Sequence, residues 1–342
     1  MTGLGWYIHH AGRGHITRFL AIRPHLDHEV WVFSSLTAPR DLPPRTRWVQ
    51  LPSDSDVVES PEGAPRDPAE ANPTANGALH WAPVAHPGHA GRLASIVEHS
   101  VAHGLDRFVV DVSVEVALLV RLLGIPTIVV AQPGARTDEP HRLAYSLADV
   151  ILCPWAPGTH DLAPFAAARD RVREVGGISR YGDRADSDRT AASPSRSGGV
   201  VLGSLTSPLP AAEQWAALEA EVPHLRWRSV GFVAGTEVDD PWSLLRSAEV
   251  VVTAAGQNSV ADIAAAGAAA IVIPQERPFD EQRATATVLE KRGLAVVAAS
   301  WPSGPEWRSL LVAASALEPR WSEWGTSGAA QRAADVVTGV AS

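Results

Sequence analysis

Short apolar runs alternate with longer helix-compatible stretches along most of the chain, beginning at Leu4. Strands that read as continuous apolar runs, rather than as alternating ones, are covered on both faces, which is the pattern of a parallel sheet between layers of helices. In the first half the pattern predicts strands at residues 4–8, 30–33, 48–51, 108–111, 127–131 and 150–153, with helices at 16–23, 92–102, 114–123 and 139–147. The rhythm repeats in the second half, with strands at 172–175, 200–202, 226–230, 250–253, 270–273 and 295–297 and helices in the gaps. A chain of 342 residues exceeds what one core usually organises. The expectation is therefore α/β: two doubly wound, Rossmann-like domains, the first over 1–155 and the second over 171–306. Pro154, Trp155, Pro157 and Gly158 punctuate the exit from the first domain, so 156–170 reads as a linker. The tail, 307–342, looks helical, and its Trp321, Trp324, Val336 and Val337 form a stripe able to pack back on the first domain.

Two stretches lack periodicity. Residues 52–87, rich in Pro, Ala and Asp, are too long for an idle connection and read as a functional loop over a site. Residues 181–199, dense in Asp, Arg, Ser and Gly, read as a surface loop. The formal charge of −9, with 29 Lys and Arg scattered along the chain, supplies no basic field for nucleic acid. Cys153 is the only cysteine, which removes intramolecular disulfides and cysteine-based zinc sites and suits a cytoplasmic setting. No signal-peptide pattern opens the chain, and its longest apolar stretch, 112–130, is interrupted by Glu115, Arg121, Gly124 and Pro126. No transmembrane segment is expected, and any membrane contact would be peripheral, at the inner face.

The first strand opens into His9, His10, Ala11, Gly12, Arg13, Gly14 and His15, followed by a helix carrying Arg18. Glycines here allow a ligand close to the backbone, and the helix start offers free N–H groups. A dinucleotide fingerprint is not met, because Thr17 stands at the third glycine position and the next strand ends in Ser34 and Ser35 instead of an acid. His15, beside two glycines, is a candidate base or only part of the turn. Arg18, one turn on, can meet an acceptor phosphate or carboxylate, or stay solvated. Asp111 either orients His15 across the sheet or caps the helix that follows. Gln132 sits after another strand at the same edge, as an acceptor contact or a turn residue. His80, Trp81, His86 and His89 are read as lining of an acceptor loop or as packing, with no acid near them in sequence to complete a metal site. Asp54 and Asp56 read as solvated carboxylates, and no metal is expected.

The strongest feature is an apolar strand, 250–253, opening through Gly256 into a helix that starts with Gln257, Asn258 and Ser259. Such a helix start is an anion site suited to a diphosphate. A second strand leads into the polar loop 274–282, ending in Glu281 and Gln282, at the carboxyl edge where open α/β sheets bind ligands. Two bland alternatives stand beside this: Ser259 and Asp262 have capping-box spacing, and Glu281 with Gln282 fits a solvated helix start.

Over these residues the chain resembles glycosyltransferase family 28, and with it the GT-B glycosyltransferases. The resemblance rests on Gly256 through Asp262, Ala265-Ala266-Gly267, Ile273-Pro274, then Glu281-Gln282 with Ala286 and Gly293. Gly14-His15 with Arg18 and Val175 through Arg180 add to it. It implies two Rossmann-like domains facing across a cleft, and an enzyme moving a sugar from a UDP- or dTDP-linked donor to a small-molecule or lipid-linked acceptor in cell-envelope or natural-product biosynthesis. The chemistry expected is inverting and without metal or cofactor. By position it implies Asp262 on the ribose, Glu281 and Gln282 on the donor sugar, Arg180, Ser204 and Thr206 near the diphosphate, Phe232 and Val233 at the base, and His15, with Asp111, at the catalytic centre. The acceptor side then comprises His10, Gly14, Arg18, His80, Trp81 and Gln132. Asp262 is one methylene shorter than the family's usual Glu, and Thr285 stands at its usual Asn. A nucleotide-sugar hydrolase or 2-epimerase of the same fold, or a non-catalytic nucleotide-sugar binder, shares the donor features.

Overall fold

The computed structural model describes residues 3–59, 64–188, 195–203, 210–231, 238 and 240–340. A seven-stranded sheet runs in the spatial order Thr46–Gln50, Glu29–Ser34, Gly3–Ile8, Leu105–Asp111, Thr127–Val130, Val150–Cys153, Val172–Glu174, parallel throughout. A five-stranded parallel sheet follows, ordered Val296–Val297, Ala269–Val272, Val250–Thr253, Gly199–Leu202, Trp227–Val230. Both are doubly wound, Rossmann-like sheets, and each reverses direction of growth once. In the first the reversal lies between Gly3–Ile8 and Leu105–Asp111, in the second between Gly199–Leu202 and Val250–Thr253. Strand crevices at such reversals are where open α/β sheets take ligands.

Strand alternation assigns the two faces of the first sheet. Leu4, Trp6 and Ile8 point to one side and pack on Phe19 and Ile22 of the helix Gly14–Ile22; Tyr7 points to the other, with Phe33, Phe108, Ile96 and Val120. Ala330, Ala333, Ala334 and Val337 of the C-terminal helix Ala329–Thr338 complete the first of these cores, so the tail does return to the first domain. Trp321 and Trp324 do not go with it. They pack into the core of the second domain, where the Trp321 indole donates to Ala268 O at 2.9 Å. The tail thus binds both domains.

Three further elements differ from expectation. Val172–Glu174 adds to the first sheet beside Val150–Cys153, so the crossing to the second domain falls after Glu174, beyond the stretch 156–170. The helix expected from residue 92 begins at Pro87, because His86 accepts from His89 N at 3.1 Å as its cap and Pro87 occupies the first turn. Within the stretch 181–199, Gly182–Ser187 is a one-and-a-half-turn helix, packed against the helix Gln257–Ala266. Among the described residues no helix is long and apolar enough to cross a membrane.

The domains also meet at the loop after Thr127–Val130. Ala135 N–H donates to Phe279 O at 2.7 Å, and Gly134 lies so close that a Cβ there would stand 2.0 Å from that oxygen. Gly134 also has φ +104°, a conformation side chains resist. Gly134→Ala is expected to cost about 1–3 kcal/mol of stability, as overpacking does, read as a lowered thermal midpoint.

Candidate active site

The two domains line one cavity of about 630 Å³. On the first-domain side, Ile8 and Asp111 end neighbouring strands in register, and the helix Gly14–Ile22 starts directly above them. Asp111 is fully buried; its Oδ1 lies 2.8 Å from His15 Nδ1, and the Arg18 fork donates to both its oxygens, Nε to Oδ2 at 3.0 Å and Nη2 to Oδ1 at 2.8 Å. Burial acts to raise the Asp111 pKa, but the Arg18 guanidinium and His15 outweigh it and hold the carboxyl well below the usual carboxylate range. His15 Nδ1 also lies 3.2 Å from Arg18 Nη2, but its closer partner is the ionised Asp111 at 2.8 Å; with the Nδ1 proton given to that carboxylate, Nε2 is the lone-pair nitrogen of the neutral ring. Asp111 is therefore not the cap of the next helix. That cap is Ser113, whose Oγ accepts from Val116 N at 3.1 Å.

On the second-domain side the helix Gln257–Ala266 presents its first turn. Gly256 is its N-cap and supplies no side chain, and among the described residues no hydrogen bond takes up the N–H of Gln257, Asn258 or Ser259. The capping box does not form, since Gly256 and not Ser259 is the N-cap, and Asp262 is bonded to Ser179 and Arg180 instead. Side chains of this turn hold the facing domain: Arg18 Nη1 donates to Gln257 Oε1 at 3.2 Å, and Asn258 Nδ2 donates to Gly14 O at 2.6 Å. A third wall comes from Phe279 and Glu281. Phe279 and Asp280 both adopt left-handed φ, 62° and 54°, and Arg136 lies over the Phe279 ring at 4.8 Å with Glu281 3.6 Å away.

Of the residues singled out in the sequence, Gly14, His15, Arg18, His80, Trp81, Gln132, Gly256, Gln257, Asn258, Ser259 and Glu281 line this cavity together. Arg18 does meet a carboxylate, but the protein's own. His10 lines an adjoining cavity of about 320 Å³, with Asp54, His89 and Arg92, and His9 and Trp81 are shared between the two. Burial, with His10 and His15 beside it, pushes the His9 imidazole down to about 3.

Asp262 and Gln282 are not among the cavity walls. Asp262, 2% exposed, accepts from Ser179 Oγ at 2.7 Å and from Arg180 Nε at 3.0 Å, and Gln282 Oε1 accepts from Gln275 N at 2.8 Å. Burial raises the Asp262 pKa, and Arg180 and Ser179 offset it only in part. Arg180 stands with Asp262, over the Tyr181 ring. Ser204, Thr206, Phe232 and Val233 lie outside the described residues.

Asp54 departs from the solvated reading. It is 5% exposed and ion-paired to the buried Arg92. An acid near His80, absent in sequence, is supplied by Asp138, which bridges His80 and His141. Ligand atoms of these three side chains lie within 4.8 Å of one another, a spacing a cation could span. The donor set argues otherwise. Arg136 Nη1 lies 3.0 Å from His141 Nε2, and a guanidinium only donates, so Nε2 carries the lone pair and Nδ1, facing Asp138, carries the proton. No lone pair remains on that side for a metal. Arg136, Asp138, His141 and Phe279 were not singled out in the sequence, and a histidine three residues after an acid at a helix start was their one local sign.

Residues 233–302 match the family model described as glycosyltransferase family 28 C-terminal domain. Solved structures similar over nearly the whole chain include a glycotransferase of kitacinnamycin, at 16% identity over 98% of each chain with a TM-score of 0.66. MurG of Acinetobacter baumannii aligns at 16% identity over 99% of this chain and 100% of that one, with a TM-score of 0.63. A UDP-glucosyltransferase from Polygonum tinctorium aligns at 14% identity over 99% of each, with a TM-score of 0.66. No curated protein matches the sequence. The chain thus shares its fold with GT-B glycosyltransferases, and residues 233–302 of its second half match the family 28 C-terminal domain.

The Asp54–Arg92 pair gives a pH-dependent expectation. Burial acts to raise the Asp54 pKa, but His89 and Arg92 outweigh it and lower it from 3.8 to about 2. A carboxylate depressed on folding stabilises above its unfolded pKa, and that stability is lost as pH falls through the folded one. Asp54→Asn should cost about 3 kcal/mol at neutral pH. In urea titrations the gap to wild type should close as pH is lowered from 3.8 towards about 2.

Proposed function

We propose that the chain transfers a sugar from a UDP- or dTDP-linked donor to an acceptor hydroxyl or amine, inverting the anomeric centre and using no metal. One observation carries this reading: across a single cavity, the His15–Asp111 pair faces the free N–H groups of the helix beginning at Gln257. Among the fold neighbours, a spinosyn rhamnosyltransferase is described in complex with thymidine diphosphate, LpCGTa with UDP, and Phytolacca americana UGT2 with UDP-2fluoro-glucose and pterostilbene. These support a nucleotide-linked donor for this chain.

The diphosphate accepts hydrogen bonds from Gln257, Asn258 and Ser259 N–H, and the helix dipole favours its charge as the donor bond breaks. His15 Nε2 takes the proton of the acceptor as the acceptor oxygen or nitrogen attacks C1 from the side opposite the leaving phosphate. The new bond to C1 forms, the C1–O bond to phosphate breaks, and the nucleoside diphosphate departs with the bonding pair. Asp111 keeps the ring oriented through Nδ1–H and stabilises the imidazolium; Arg18 pins Asp111. Glu281 is placed to receive donor-sugar hydroxyls. Asp262 takes the ribose only where Arg180, with its side chain 36% exposed, yields its bond. Arg180, Ser204, Thr206, Phe232, Val233 and Gln282 keep their expected donor-side roles within this proposal.

The geometry favours a small acceptor over a lipid-linked one. Arg18 is spent on Asp111 and Arg136 on Gln132, Pro133 and Glu281, whereas Trp81 and Phe279 offer apolar faces.

Thermal melts with UDP, dTDP, ADP and GDP test the donor side, a ligand at a hundredfold its Kd adding about 2.7 kcal/mol. UDP or dTDP should raise the midpoint selectively, equally with EDTA present. His15→Ala should keep that shift and lose turnover by roughly a hundredfold or more. No shift with any nucleotide, or wild-type turnover in His15→Ala, would sink the proposal.

A further inference from the structure

Another histidine of the cavity, His80, belongs to a hydrogen-bond chain separate from that of His15. His80 Nε2 lies 2.6 Å from Asp138 Oδ2, Asp138 Oδ1 meets His141 Nδ1, and His141 Nε2 meets Arg136 Nη1 at 3.0 Å. Arg136 is itself fixed, Nη2 donating to Gln132 Oε1 at 2.6 Å and Nε to Pro133 O at 3.2 Å.

Proton positions along this chain follow from its end. The guanidinium has no acceptor atom, so His141 gives its Nε2 lone pair to Arg136 and its Nδ1 proton to Asp138. Burial, together with Arg136, pushes the His141 imidazole down to about 4, so the ring is neutral at pH 7 despite Asp138. With Oδ1 taken by His141, the other oxygen of Asp138 receives Nε2–H of His80. In that tautomer the His80 lone pair sits on Nδ1, and among the described residues that nitrogen has no hydrogen-bond partner.

The ring is held in place as well as in tautomer. Glu115 Oε1 accepts from the backbone N–H of both His80 and Trp81, at 2.8 and 2.9 Å, and the His80 ring packs on those of His141 and Phe279 at 4.5 and 5.6 Å. The charges around it are paired: Asp138 by two imidazoles, Glu115 by backbone and Ser113, Arg136 by Gln132 and Glu281. His80 lines the cavity beside two aromatic side chains, Trp81 and Phe279.

We propose that His80 Nδ1 determines acceptor specificity by receiving an O–H or N–H of an uncharged aromatic acceptor, at a position other than the one glycosylated, while the acceptor ring lies against Trp81 and Phe279. His80 reads a second donor group on the substrate; the proton transferred in the reaction goes to His15. This assignment rests on the sugar-transfer reading for its meaning, but its test needs no turnover.

Binding of two probes to the full chain, 2-naphthol and 2,6-dihydroxynaphthalene, is measured by calorimetry. The second hydroxyl should tighten binding roughly five- to tenfold, the gain of one neutral hydrogen bond. His80→Phe should erase the gain and leave the Kd of 2-naphthol within about twofold, since the ring face remains while the acceptor atom is gone. Asp138→Asn, which frees the tautomer without removing the imidazole, should shrink the gain too, an effect that a purely steric His80 would not show. Equal affinity of the two probes for wild type, a gain that survives in His80→Phe, or no binding of either probe overturns the assignment. The nucleotide melts decide the transfer reading independently, so either can fail alone.

Discussion

A buried carboxylate cannot stay ionised without compensation, and among the described residues Asp111 finds it in Arg18 and His15. The same guanidinium that neutralises it extends its third nitrogen to Gln257 of the other domain. Orientation of the proposed base is thereby tied to the approach of the two domains: the fork that fixes Asp111 also holds the helix whose free N–H groups face the cavity. In the proposed reaction, the separation of the two domains would set how far His15 stands from the diphosphate, the distance on which in-line transfer depends.

Topology explains why these groups meet. Each sheet reverses its growth once, and each reversal leaves a crevice at the carboxyl ends of its strands, with a helix start above it. Placed face to face, the two domains line one cavity, with the His15–Asp111 pair on one side and the start of the helix Gln257–Ala266 on the other. The contact of Gly134 and Ala135 with Phe279, and the tail that packs Trp324 into one domain and Val337 into the other, hold the two crevices in register.

Most of the sheet structure was legible because parallel strands covered on both faces read as continuous apolar runs. Val172–Glu174 was assigned to the wrong sheet, since a strand's neighbours are not encoded in its own residues. His15 stood out by its flanking glycines and the Gln257 helix start by the strand-to-glycine transition before it, both local signals. Asp111 was ambiguous because a residue between a strand and Ser113 can cap as readily as it can orient; Ser113 settled this by capping. The partners of His80 could not be read: Asp138 lies 58 positions along the chain, and only the fold brings them together. Asp262 matched a family position by spacing, yet one turn into the helix it faces inward, where Ser179 and Arg180 reach it. Asp54 looks solvated in a polar loop because its partner, Arg92, is distant in sequence and only the fold brings the two together.

A crystal structure of the chain with UDP or dTDP bound bears most directly on the site. The expected result is diphosphate oxygens about 3 Å from the N–H groups of Gln257, Asn258 and Ser259, with the terminal phosphate turned towards His15. A nucleotide seated instead in the hollow beside Arg226 and Arg228, on the far edge of the second sheet, with the Gln257 helix start left to solvent, would contradict it.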